Sequence, residues 1–210
     1  MIRVTASDPQ ALPWAIDALE RGELIAIPTD TVYGLAARLD RPAALERLYA
    51  AKGRDADKAI PVLIADANTL SDLTRELPDG AEEFAARFWP GPLTIVVSRS
   101  AAVPDLVTAR GDTVGIRMPA HPFALALIAA CGGALAVTSA NRSGEPSLGD
   151  AGAVERAIGG AIELIVDSGP TPGGRSSTVI VLTASGPVIL RTGPIDADEL
   201  RVAWAETRPV

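Results

Sequence analysis

One short run, Lys52-Gly53-Arg54-Asp55-Ala56-Asp57-Lys58, puts three cations into a chain that carries 19 Lys and Arg against 26 Asp and Glu. Clustered cations on an acidic background suit a compact anion, and phosphate is the first candidate. The same run also reads as a solvated helix end, because Lys and Arg complement the C-terminal dipole. Thr29-Asp30-Thr31 follows a strand-like stretch, where α/β sheets place their ligands. Its side chains would bind a polar ligand or cap a helix. In 113–118, strand alternation sets Thr113, Gly115 and Arg117 on one face and Val114, Ile116 and Met118 on the other. A guanidinium beside a Gly gap is suited to bidentate binding of a carboxylate, or to an internal pair with Asp112 or Asp30. The fourth place is Thr138-Ser139-Ala140-Asn141-Arg142-Ser143-Gly144-Glu145-Pro146-Ser147, dense in hydroxyl and amide groups. Such a loop donates to phosphate or sugar oxygens, or closes on itself as a turn. Ser176-Ser177-Thr178 and Arg191 add donors. His121 reads as a cap or surface residue and Cys131 as core packing.

The elements that must position these groups alternate. Strands are expected over 2–5, 24–28, 60–65, 93–98, 113–118, 135–138, 164–167, 178–182 and 187–191. Helices are expected over 9–21, 42–51, 68–77, 79–88, 123–131, 150–158 and 196–206, with a turn at 184–186. Leu12, Ala15, Ile16 and Leu19 follow helical spacing, and Pro42 suits a first helical turn. Trp89-Pro90-Gly91-Pro92 forces a turn, because two prolines deny helix and ladder donors. Alternation followed by a strand-rich end predicts an α/β fold: a single domain over 1–210, with a mixed, twisted sheet and flanking helices.

Composition narrows the classes. The net charge of −7 argues against broad nucleic-acid binding, which shows a basic face. Aromatics make up 4%, so the core is built from Ala, Val, Leu and Ile. No apolar run approaches the roughly 20 residues that span a bilayer, and no leader pattern is evident. The lone Cys131 fits a reducing compartment, so a cytoplasmic location is expected. Phosphate-loop, dinucleotide and H-E-x-x-H signatures are absent, so any nucleotide must be held by side chains gathered from several loops.

Eight segments in order resemble the YrdC/TsaC family, the threonylcarbamoyl-AMP synthases. They are Ile27-Pro28-Thr29-Asp30-Thr31-Val32-Tyr33-Gly34-Leu35, Lys52-Gly53-Arg54, Trp89-Pro90-Gly91-Pro92-Leu93-Thr94, Arg117-Met118-Pro119, Ser139-Ala140-Asn141, Val166-Asp167-Ser168-Gly169, Ser177-Thr178-Val179 and Leu190-Arg191-Thr192-Gly193. They span about 24–195. The resemblance implies one α/β domain around an open, cationic central cavity. It implies conversion of L-threonine, bicarbonate and ATP to threonylcarbamoyl-AMP and pyrophosphate, for modification of an adenosine in tRNA by a downstream transferase. It further implies Lys52 and Arg54 as catalytic cations. Lys52, Arg54, Lys58, Thr113, Ser139, Asn141, Ser147 and Arg191 would form the ATP site. Thr31, Arg117, Ser177 and the main chain at Val137 would form the L-threonine site, with Arg117 on the carboxylate. No metal cage of protein carboxylates is evident, so Mg²⁺ would ride on the ATP phosphates.

Two positions depart from the family pattern: Asp55 where Pro is common, and Leu63 where some members have His. The chain resembles the family's short form. A carbamoyl-transfer module, as in hydrogenase maturation, and an RNA- or tRNA-binding module stand as alternatives.

Overall fold

The computed structural model describes residues 1–183 and 185–207. The first half runs β1 (Ile2–Thr5), α1 (Ala11–Glu20), β2 (Ile25–Ile27), β3 (Gly34–Arg38), α2 (Pro42–Lys52), β4 (Val62–Ile64), α3 (Thr69–Leu73), β5 (Thr74–Glu76), α4 (Ala81–Phe88) and β6 (Leu93–Arg99). The second runs β7 (Thr113–Arg117), α5 (Pro122–Ala130), β8 (Ala134–Ser139), α6 (Ala151–Ile158), β9 (Leu164–Asp167), β10 (Thr178–Thr183), β11 (Gly186–Arg191) and α7 (Ala197–Thr207). The strands join in one mixed sheet, ordered β1-β9-β2-β3-β8-β4-β7-β6-β10-β11, with β5 added to β6.

Two departures from the expected elements shape the centre. β3 is a strand that alternation does not announce: Gly34-Leu35-Ala36-Ala37 is small or apolar throughout, because both of its faces are covered. It pairs antiparallel with β2 and with β8. The helix expected over 68–77 stops at Leu73, and Thr74–Glu76 pairs antiparallel with β6. The turn at 184–186 includes Ala184, which lies outside the described residues; Thr183 and Gly186 pair across it.

The two faces of the sheet are covered unequally. On one, Leu45 and Leu48 of α2, Phe84 of α4, Val154 of α6 and Leu200 of α7 belong to one apolar core with Leu35, Ile95, Ile116 and Ile180. On the other, Ala15 and Leu19 of α1 with Leu127 and Ile128 of α5 cover Ile25, Ile27, Leu63, Leu135 and Leu164. Among the described residues, no helix contributes to that second core over β6, β10 and β11, and there the sheet is left open. Arg117 and Gly115 project onto this open region, on the face that strand alternation requires. Among the described residues, no helix is long and apolar enough to cross a membrane.

Candidate active site

The open part of the sheet holds a hollow of about 280 Å³. Its walls come from five places: Thr29 with residues 31–34, Arg54 with residues 59–61, β8 at Val137–Ser139, Thr94 and Gly115 with Arg117, and Ser176, Ser177 and Val179 with Arg191. β4 is three residues long, so it ties β8 to β7 over a short ladder only. Leu63, in register with Arg117, also lines the hollow.

Thr29-Asp30-Thr31 forms a turn that links β2 to β3, and no helix follows it. The Thr29 hydroxyl donates to Val32 O at 2.6 Å and lies 3.0 Å from Thr31 Oγ1, while the Thr31 N–H donates back to it. This local bonding is the turn chemistry that Thr offers when it does not cap a helix. Arg117, 6% exposed, reaches into this turn. Its Nε donates to Gly91 O at 2.9 Å, Nη1 to Thr31 Oγ1 at 2.9 Å, and Nη2 to Asp30 Oδ1 at 2.5 Å. Of the two internal partners the sequence offers, Asp30 is therefore the one used. Burial pulls the guanidinium's pKa down, and the neighbouring Asp30 opposes this.

The Lys52 ammonium does not project into the hollow. Gly53 caps α2 in the left-handed conformation (φ 57°), so the chain reverses there and Lys52 packs inward. Nζ donates to the Ser139 carbonyl, to Asn141 O at 2.5 Å and to Asn141 Oδ1 at 3.3 Å. Asn141 Nδ2 in turn donates to Arg142 O and Glu145 O. Lys52 thus fastens the Ser139–Asn141 turn, and Ser139 lines the hollow in consequence. Burial, with a smaller push from Arg54, lowers the Lys52 pKa to about 8.

Arg54 and Arg191 supply the free positive charge. Arg54 donates to Lys58 O at 3.1 Å and Ala59 O at 2.8 Å; Arg191 donates to Ser177 O at 3.0 Å and Ser177 Oγ at 3.2 Å. Both line the hollow, and neither makes an ion pair among the described residues. Burial lowers the pKa of each, and Arg54 lowers that of Arg191 further. Two guanidiniums on one wall, with Asp55 and Asp57 near Arg54 but in no ion pair with it, attract an anion with several oxygens. The lining contains no carboxylate, so it does not fit a resident divalent metal.

A family model for Sua5, YciO and YrdC proteins, described as telomere recombination, matches residues 17–193. The chain belongs to this family. The threonylcarbamoyl-AMP synthase of Pyrococcus abyssi is 45% identical over 90% of this chain and 56% of its own length. The threonylcarbamoyl-AMP synthase of Bacillus subtilis is 43% identical over 94% of this chain and 57% of its own length. The crystal structure of P. abyssi Sua5 complexed with L-threonine superposes with a TM-score of 0.91 at 42% identity, covering 96% of this chain and 60% of that one. The chain therefore spans little more than half the length of these relatives.

The fold brings most of this Sua5/YrdC chain's expected site residues to the hollow: Thr31, Arg54, Arg117, Val137, Ser139, Ser177 and Arg191 line it. Lys52 and Asn141 stand one layer behind, and Ser147 reaches it through Ser176 at 3.0 Å. Lys58 lies apart: its ammonium is exposed and paired with Asp55 at 2.6 Å. That pair explains Asp55, whose charge is taken up by Lys58. Thr113 also lies outside. Its face is the expected one, but it is four residues from Arg117, or about 13 Å along the strand at ~3.3 Å per residue. It lines a second hollow, of about 520 Å³, with Ser98, Val181 and Thr183. Val96 borders both hollows.

Thr29 and Ser176, from the two donor-rich stretches of the sequence, line the hollow as well, and so does Thr94, to which sequence alone assigned no role. Thr94 Oγ1 lies 2.7 Å from Ser177 Oγ, which also accepts from Arg191. Alternation from Leu93 would have pointed to Thr94, a polar residue on a strand otherwise rich in branched apolar side chains.

Proposed function

We propose that this chain is a threonylcarbamoyl-AMP synthase that uses L-threonine, bicarbonate and ATP. The observation that supports it most is the pair Arg54 and Arg191, in no ion pair among the described residues, beside the Arg117 guanidinium in one hollow. The threonine amine and bicarbonate condense to a carbamate with loss of water. A carbamate oxygen then bonds to the α-phosphorus, and the bond from that phosphorus to the bridging β-oxygen breaks, releasing pyrophosphate. Charge gathers on phosphoryl oxygens in this step, so fixed guanidiniums lower its barrier. Arg54 and Arg191 hold the phosphates, with Ser139 and Ser147 as donors. Lys52 acts through the Ser139–Asn141 turn, on which Asn141 lies. The nucleoside extends past Val96 towards Thr113. Thr31, Ser177 and the Val137 main chain surround threonine, with Leu63 as an apolar wall, and Mg²⁺ enters on the phosphates. A cytoplasmic setting and a downstream tRNA transferase belong to the same reading; Lys58, paired and exposed, drops out of the phosphate site.

The test is pyrophosphate release from ATP with threonine and bicarbonate omitted in turn. Release should require both. Turnover that ignores either omission sinks the proposal, and tight, salt-sensitive RNA binding without nucleotide binding would favour an RNA-binding module.

A further inference from the structure

Asp30 is the residue of the Thr29–Thr31 turn for which substrate contact supplies no role. Its side chain is 14% exposed and stands beside Arg117, whose side chain is 7% exposed. One oxygen, Oδ1, accepts from Arg117 Nη2 at 2.5 Å and from the Ala120 N–H at 3.0 Å. Asp30 thereby ties the end of β7 to the turn that enters α5. Its own backbone is clamped from behind: a Cβ at Gly173 would sit 2.9 Å from Asp30 O and 2.9 Å from Thr31 Cα.

The donor count shows what this accomplishes. A guanidinium carries five N–H groups, and Arg117 commits three of them, one each to Gly91 O, Thr31 Oγ1 and Asp30 Oδ1. One N–H remains on each terminal nitrogen, the number that a carboxylate engages side by side. Asp30 Oδ1 is the third of these acceptors, and the Ala120 N–H holds it in place from a second side. Without it, two acceptors hold the fork and its Nη2 end loses the partner that fixes its direction.

We propose that Asp30 is a positioning residue that sets the orientation of Arg117 for the α-carboxylate of an amino-acid substrate. This rests on the assignment of Arg117 to that carboxylate. Asp30 does not line the hollow, so its effect passes through Arg117.

The test compares Asp30→Ala with Asp30→Asn in the full chain. Asn keeps an acceptor oxygen for both donors and loses only the charge. In threonine-dependent pyrophosphate release, Asp30→Ala should raise the threonine KM by about 10- to 100-fold and leave the ATP KM within about twofold. Asp30→Asn should return the threonine KM to within about threefold of the parent. Equal increases in both KM values, or an Asn variant as impaired as Ala, would overturn the proposal. A second measurement follows the ¹⁵Nε–H resonance of Arg117, identified by its loss in Arg117→Lys. Asp30→Ala should broaden or shift it and Asp30→Asn should not; a signal unmoved by Ala overturns the proposal. This arm needs no turnover. If the parent chain shows no threonine dependence, the synthase reading fails, and the resonance still decides whether Asp30 orders Arg117.

Discussion

Arg54, Arg191 and Lys52 carry like charge to different ends. Arg54 and Arg191 face the hollow with N–H groups to spare, so each is expected to bind phosphate directly. Removing one charge-assisted contact costs about 1.5–3 kcal/mol, or roughly 10- to 150-fold. Arg54→Ala and Arg191→Ala should each weaken a non-hydrolysable ATP analogue by that factor, with threonine binding measured alone nearly unchanged. Titration calorimetry of both ligands checks this. Lys52 titrates instead. Its native pKa of about 8 lies below the ordinary 10.5. Below about 8 the ammonium meets three oxygens; above it the amine has two N–H groups and leaves one acceptor unmet. ATP affinity should therefore fall as pH rises through about 8. Fold stability should show the opposite slope between about 8 and 10.5, because there the unfolded chain holds a proton that the native chain has lost. A nucleotide affinity that stays flat to pH 10 would show that the turn at Ser139–Asn141 does not depend on the Lys52 charge.

At the scale of elements, close approach of backbone sets the walls of the site. A Cβ at Gly193 would stand 2.3 Å from Thr178 N and 2.5 Å from Ser177 C, so the chain leaving β11 presses directly on the start of β10. This contact fixes where Arg191 meets Ser177. Gly193→Ala should push the two apart, lowering stability by about 1–3 kcal/mol, the usual cost of overpacking. It should also weaken nucleotide binding in proportion to the displacement of Arg191. Thermal melting and analogue titration on one preparation test both. Thr94→Val keeps the shape of β6 and removes the hydroxyl that faces Ser177. The elements themselves were legible wherever one face is wet: α4 and α6 show apolar stripes and Asp150 caps α6 through Ala153 N. β3 was not legible, since a strand covered on both faces loses its alternation. β5 was hidden because Thr74-Arg75-Glu76 becomes a strand only by pairing with β6.

Across the whole molecule, the sheet is held at its β1 edge by charge as well as by ladder bonds. Asp167 accepts from Arg3 Nη2 at 2.7 Å and from the Gly169 N–H at 2.8 Å, and lies 3.2 Å from the Tyr33 hydroxyl. Burial pushes its pKa up, but these donors outweigh burial and hold it below 3.8. The stability this gives is present above about pH 4 and is lost as the carboxylate protonates below it. Asp167→Asn should thus be less stable than the parent by about 1 kcal/mol at pH 7, given how exposed the Arg3 partner is, and the gap should be narrower at pH 3. Denaturant titrations at the two pH values decide it.

Residue types, motif order and alternation were enough to specify a mixed α/β sheet, the family, and the face on which Arg117 stands. Those properties are local, set by side-chain period and turn chemistry along a few residues. What each cation does was left to the tertiary structure. Lys52, Arg54 and Lys58 are neighbours in sequence with the same charge, yet one is buried under the Ser139–Asn141 turn, one faces the hollow and one pairs with Asp55 in solvent. A left-handed cap at Gly53 separates the first two, and oxygens of Ser139 and Asn141, 87 and 89 residues away, claim the first. The charge of a side chain is written in the sequence; whether that charge is spent on the protein or left for a ligand depends on which distant oxygens the fold brings to it.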